Sequence, residues 1–224
     1  VASNTSPGLN SPALPTAARP FGYKTAWLAI RGSDSSVVAA ALDLHDLQSA
    51  NWEYGVWHAT EADYRIFITP PVNGWVLAVG IPLLFESDDH QTKRIVPLSK
   101  QFGEAQFFSS MRTSAAYLWA RAVRGNVIRV FYEGDGTRRE EGDKTDEEKQ
   151  LGFRFFDASS PESTEPGYWQ RKDLIHLNED YVLKVAGKWS IDPSKLDQMG
   201  LPTLIGVIGS PSESYSPKPK WFNN

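Results

Sequence analysis

Four histidines, His45, His58, His90 and His176, are the first residues in the chain that could bind a metal or move a proton. None belongs to an HExxH pair or another close ligand spacing, and cysteine is absent, so a zinc site would have to gather distant partners. The missing cysteines also exclude disulfides and thiol nucleophiles. Serine chemistry has no G-x-S-x-G elbow to stand on, and Gly209-Ser210-Pro211 lacks the strand-turn-helix setting that exposes such a nucleophile. No phosphate loop occurs either, since Gly134-Asp135-Gly136 leads into a charged stretch and not into a helix. Adjacent acids at Asp88-Asp89 and Glu140-Glu141 would serve a glycosidase only if they faced each other across a cleft. The segment Asp135 to Glu148 offers carboxylates to calcium but departs from the EF-hand spacing. These patterns lead to an expectation of no catalytic set, no metal and no cofactor.

Charge is more informative. Residues 133–148 hold eight acids (Glu133, Asp135, Glu140, Glu141, Asp143, Asp146, Glu147 and Glu148) against Arg138, Arg139 and Lys144, a net of minus five in a chain whose total is minus four. Negative charge concentrated in this way steers encounters with basic partners, and Asp135, Glu140, Glu141 and Asp143 are the expected contacts. The competing reading is a solvated loop kept polar for solubility. Nucleic acid is disfavoured, because phosphate binding requires a basic footprint. Among eight tryptophans, Trp27, Trp75, Trp119 and Trp189 fall inside expected elements and read as core. Trp52 and Trp57 fall on opposite faces of an expected strand, so one of them is a candidate interface anchor. Trp221 and Phe222, among Pro and Lys, either contact a partner or fold back onto the domain.

The elements that would position these residues are centred on 64–80, YRIFITPPVNGWVLAVG. Tyr64 to Thr69 and Trp75 to Val79 are β-rich runs separated by turn residues, and apolar side chains on both faces suit central strands covered on both sides. A two-residue Asn73-Gly74 turn would bring Pro70 into the ladder, where its missing N–H strands a carbonyl, so a loop over Pro70 to Gly74 is expected. Before this hairpin come a strand over Tyr23 to Ile30, a short helix over Val37 to Leu44, and a strand over Asn51 to Thr60 with Trp52, Tyr54 and Val56 in alternation. After it come a polar loop at 86–94, one helical turn over Pro97 to Phe102, and strands over Glu104 to Ser110, Ala115 to Arg124 and Val127 to Glu133. Thr145 opens a helix through Leu151, Asn178 caps a helix over Tyr181 to Ala186 that Gly187 ends, Ser194 to Gln198 forms a short helix, and Leu201 to Ile208 is extended.

The fold class that follows is α+β: a mainly antiparallel, twisted sheet with helices packed on its faces, in one domain over residues 21–209. Residues 1–20 read as a Pro/Ser-rich linker and 210–224 as a Pro/Ser-rich tail. Such a linker suits an export signal or anchor preceding Val1, which would place the domain in the periplasm with membrane contact only through that anchor; a cytoplasmic tail is the alternative.

The strings YKTAWLAIRG, FITPPVNGWVLAVG, LSKQFGEAQFF and VAGKWSIDP together resemble bacterial immunity proteins of the polymorphic toxin and type VI secretion kind, over about residues 22–195. The resemblance implies a non-enzymatic protein that binds a cognate secreted toxin and occludes its active site, here against an effector acting on cell wall or lipid. No functional residue carries over from it. The alternative is an envelope hydrolase whose carboxylates come from separate loops.

Overall fold

A computed structural model describes residues 11–84 and 88–212, with the side chains of 88–91 left out. The expectations for Trp221, Phe222 and most of the C-terminal tail lie outside the described residues. In chain order the regular elements are β1 (Ala26–Arg31), α1 (Ser35–Ala41), β2 (Leu44–Ala50), α2 (Trp52–Trp57), β3 (Ile66–Ile68), β4 (Trp75–Val79), α3 (Asp88–Phe102), β5 (Glu104–Met111), β6 (Ala116–Val123), β7 (Asn126–Gly134), β8 (Thr137–Glu141), α4 (Asp146–Leu151), α5 (Glu179–Trp189) and β9 (Gly206–Pro211). All nine strands form one antiparallel sheet in the order β2-β9-β3-β4-β1-β5-β6-β7-β8. The α+β expectation is met.

Both faces of this sheet are covered, which is why its central strands carry apolar residues in unbroken runs. Trp27, Ala29, Leu77, Phe108, Trp119 and Phe131 face one core, shared with Trp52 and Val56 of α2 and Val182, Val185 and Trp189 of α5. Leu28, Ile30, Val76, Ala78, Phe107 and Leu118 face the other, closed by Val38 and Leu42 around α1 and by Ile95 and Leu98 of α3. Each such side chain removed from water contributes roughly 1.5–3 kcal/mol before the entropy of ordering is counted.

Several expectations are corrected. The stretch from Asn51 is helical: Asn51 Oδ1 accepts from the Tyr54 amide at 2.8 Å, and Trp52, Val56 and Ala59 are the buried positions. Trp52 and Val56 satisfy both a period of two and a period of 3.6, and the cap decides between them. A π turn, His58–Ala62, extends this helix. The loop expected at 86–94 is helical from Asp88, and Pro97 sits inside α3 on its exposed side, where the carbonyl it leaves unpaired can reach water. In the central hairpin, Asn73 and Gly74 do form a two-residue turn with φ of 49° and 80°, pinched by reciprocal Val72 and Trp75 amide bonds. The proline conflict is resolved by a bulge: Val72 faces Trp75 and Thr69 bonds Leu77, so Pro70 and Pro71 together oppose Val76. Gly187 does not end α5; it lies exposed within it, and an added Cβ would stand 3.0 Å from the Asp192 Cβ, so it sets the close approach of the following chain.

Over its second half, the expected linker at 1–20 is strapped to the domain. Asn51 Nδ2 donates to the carbonyls of Ser11 and Leu14, the Asn51 amide to Pro12, and Ala18 packs against the core.

Candidate functional site

The acidic segment 133–148 is the first expectation to place. Gly134 to Gly136 form the turn between β7 and β8, and β8 is an outer strand whose alternation directs Arg138 and Glu140 inward and Arg139 and Glu141 outward. Most of the charge is paired. Arg138 holds Glu133 and also Asp157, Arg139 lies 3.5 Å from Glu141, Arg121 lies 3.6 Å from Glu147, and Lys149 lies 3.2 Å from Asp146.

Arg129, almost wholly buried on β7, accounts for two more. Its Nη2 donates to Glu140 at 2.6 Å and its Nε to Glu148 at 3.0 Å, while Nη1 donates to the Gly142 carbonyl. Glu148 also accepts from Trp119 Nε1 and the Thr145 amide, which completes a capping box at the start of α4. Its lone pairs are consumed by the fold, and Arg121, Arg129 and Lys149, from outside the segment, offset part of its net negative charge. Asp135 and Asp143 remain solvent-facing with no ion-pair partner among the described residues, and Glu141 is half-exposed. Glu140 is committed to Arg129. Among the described residues no group of three or more His, Asp or Glu side chains could hold a metal ion.

The tryptophan expectation divides in the same way. Trp52 is buried against Phe67 and is no interface anchor, whereas Trp57 is 38% exposed at the end of α2. Beside it His58 Nδ1 meets Asp63 Oδ2 at 2.5 Å, an orienting pair created by the π turn. Trp169, which sequence reasoning passed over, is 45% exposed and stacks on Phe156, with His176 parallel to it at 6.4 Å.

Two clefts lie at α5. The larger, about 500 Å³ and open to solvent, runs between α5, the turn at Asn73, and the chain from Ser190 to Met199. Trp75, Leu151, Leu183, Ile191 and Met199 supply its apolar floor. Lys184, Lys188 and Lys195 stand on its rim, all exposed, and the Arg31 guanidinium lies over the Trp75 ring at 4.7 Å. Asp192, bound to Lys195 at 2.9 Å, is the single carboxylate in the lining. That hydrogen bond, reinforced by the carboxylate's charge, raises the Lys195 pKa. Lys184 and Lys188 follow one another by one turn, and the 3.6 periodicity that buries Val182, Val185 and Trp189 necessarily leaves them outward. A lysine pair on the polar face of an amphipathic helix was legible; the apolar floor beside it was not, because residues distant in the chain build it.

The smaller cleft, about 260 Å³, is lined by Tyr23, Arg112, Tyr117, Asn178, Glu179 and Asp180 at the start of α5. Glu179 is buried and accepts from the Lys24 amide at 2.6 Å and Ser110 Oγ at 3.1 Å, with Arg112 at 3.3 Å. Tyr23 donates to Asp180 at 3.1 Å, and both tyrosine pKa values are raised, first by burial and then by the neighbouring carboxylates. Polar side chains thus converge here, whereas the larger volume lies at the other cleft. No protein-family model, curated protein or solved structure matches the chain.

Proposed function

We propose that this protein acts by binding and covering another protein, in the manner of the immunity proteins its sequence resembles, and that the partner is a secreted antibacterial effector whose active site it occludes in the periplasm. The observation that carries the binding reading is the large cleft along α5, where an apolar floor lies beneath exposed lysines and the one lining carboxylate is tied to Lys195. Such a surface is built for contact; acid–base work needs a group left free to exchange a proton at a reacting atom. The deeply buried carboxylates Glu148 and Glu179 support the same reading, since each is held by hydrogen bonds from the fold itself. We place the contact surface on α5 in preference to β8, because Glu140, Glu133 and Glu141 already engage arginines of the chain.

The test is to produce each protein encoded beside this chain in a susceptible bacterium, with and without this chain directed to the same compartment. Survival restored by this chain, together with a stable complex and loss of the neighbour's activity in vitro, is the expected result. A neighbour that is toxic, unbound and unaffected sinks the reading. The hydrolase alternative draws on the smaller cleft, where Tyr23, Tyr117, Arg112 and Asp180 converge. Turnover of a cell-wall or ester substrate by the isolated protein, lost in Tyr117→Phe, would favour it instead.

A further inference from the structure

We infer that the large cleft along α5 binds an acidic segment of the protein partner, an apolar side chain seated against the partly exposed Leu151 and Met199 and carboxylates on either side engaged by Lys184 and Lys188; this rests on the protein-binding reading above. Charge is the first argument. The chain as a whole is negative by four, yet the charged residues lining this depression are Lys184, Lys188 and Lys195 against Asp192. A cationic rim on an anionic molecule selects for negative ligands against the molecule's own background.

Geometry is the second. Lys184 and Lys188 are one helical turn apart, roughly 6 Å. Carboxylates four residues apart, one turn of a helix, are likewise separated by roughly 6 Å. The two lysines differ in what they already do: the Lys184 ammonium lies over the Tyr181 ring at 4.8 Å, whereas Lys188 has no ion-pair or hydrogen-bond partner among the described residues. A carboxylate arriving at Lys188 therefore displaces nothing but water. Lys195 is already neutralised by Asp192, which leaves the α5 pair as the primary contacts.

The cleft's form argues for a polypeptide. It is wide open to solvent, so it would cover a side chain or two of a passing segment and would leave most of a compact small molecule in water. Apolar anchors flanked by charges are what such troughs read, the pocket supplying affinity and the rim supplying register and encounter rate.

The experiment uses the full chain labelled for NMR and titrated with the peptide Glu-Glu-Leu-Phe-Glu-Glu, beside Gln-Gln-Leu-Phe-Gln-Gln and Lys-Lys-Leu-Phe-Lys-Lys. The acidic peptide is expected to shift amides of residues 183–199 and the Trp75 indole, with affinity falling at least about fivefold between about 50 and about 300 mM salt. Lys184→Glu combined with Lys188→Glu should weaken it roughly tenfold or more while circular dichroism stays unchanged, since both side chains are exposed. Equal binding of the glutamine peptide, or shifts confined elsewhere, overturns the inference. So does binding to vesicles one-third phosphatidylglycerol that the same variants abolish, when no peptide binds. If a captured neighbour binds the double variant as well as the parent, the cleft inference fails and the protein-binding reading stands. If the peptide binds and no neighbour does, the cleft inference stands and the immunity reading fails.

Discussion

Arg129 and Glu148 illustrate how a residue counted as surface charge can turn out to hold the core together. Their 3.0 Å pair is almost wholly removed from water, and every donor around the Glu148 carboxylate belongs to a different element: Trp119 on β6, Arg129 on β7 and Thr145 at the start of α4. Glu148→Gln would remove the charge opposite Arg129 and turn an amide N–H₂ toward a donor. A loss of about 1–3 kcal/mol is expected in urea unfolding, because buried donors lose a charged acceptor while Glu140 still balances the Arg129 charge. Asp146→Asn, which breaks the exposed Asp146–Lys149 pair, should change stability by less than about 1 kcal/mol. A second residue-scale prediction concerns acid. The Asp173 carboxyl is held down to about 2 from 3.8, first by its hydrogen bonds from Arg171, at 3.1 and 2.7 Å, with the charges of Arg171 and Arg154 adding to them. A depressed carboxyl contributes its stabilisation above pH 3.8 and loses it as the pH falls from there through 2. Carbon-13 titration of Asp173 should give a midpoint near 2, returning toward 3.8 in Arg171→Gln; a parent midpoint near 3.8 would contradict the pairing. Neither role was legible in the sequence. Capping by Thr145 was, since Thr145 and Glu148 stand at box spacing, but the Arg129 partner lies 19 residues away and only the strand register brings it there.

At the scale of elements, local chemistry set what could be read. Asn178 before α5 and Thr145 before α4 announce their helices by caps, and the β5–β6–β7 meander announces itself by alternation and by a turn at Gly125, which falls on Arg124-Gly125 where the sequence suggests Gly125-Asn126. Among the elements that escaped, β2 and α2 did so for opposite reasons. β2 is polar because it is a sheet edge whose middle residues all face water, so no apolar alternation marks it. α2 was taken for a strand because Trp52 and Val56 fit both periods, although Asn51 is a good cap. Gly55 in α2 gives this distinction an experimental handle. A strand reading treats it as a weak point to be filled, and helix propensity alone assigns Gly55→Ala a gain of about 1 kcal/mol. In the folded protein, however, the new methyl would overlap the Phe67 ring, which is fully buried and has nowhere to move. Overpacking costs about 1–3 kcal/mol and should win. Thermal unfolding is therefore expected at a lower temperature in Gly55→Ala; a higher midpoint would mean that the helix does not lie against Phe67.

For the whole molecule, the sequence made the hairpins legible but not the order in which they join. β3–β4 and β5–β6–β7 are neighbours in both chain and space, whereas β1 inserts between β4 and β5, and β9, the last strand, inserts between β2 and β3. Those placements depend on contacts between residues far apart in the chain, which no local pattern records, and the same distance hid the α5 cleft. The sheet's two boundaries also differ in a way that predicts dynamics. Among the described residues β2 pairs only with β9, through a register broken between His45 and Gln48, and five of its residues in a row are exposed. Among the described residues β8 pairs only with β7, but Arg129 reaches from β7 to Glu140, and Arg138 of β8 itself reaches Glu133 and the Phe156 carbonyl, tying the strand and its surroundings to the core. Local opening follows such differences, because an edge with few buried contacts separates without the rest of the sheet. Amide hydrogen exchange should accordingly be slowest in β1 and β4, where strands are paired on both sides and covered on both faces, and should report global unfolding there. β8 is expected to be intermediate and β2 fastest, although both are edges of one sheet. Equal protection of β2 and β8 would mean that pairing alone governs the edges, and that the buried arginines add nothing to how this sheet is held.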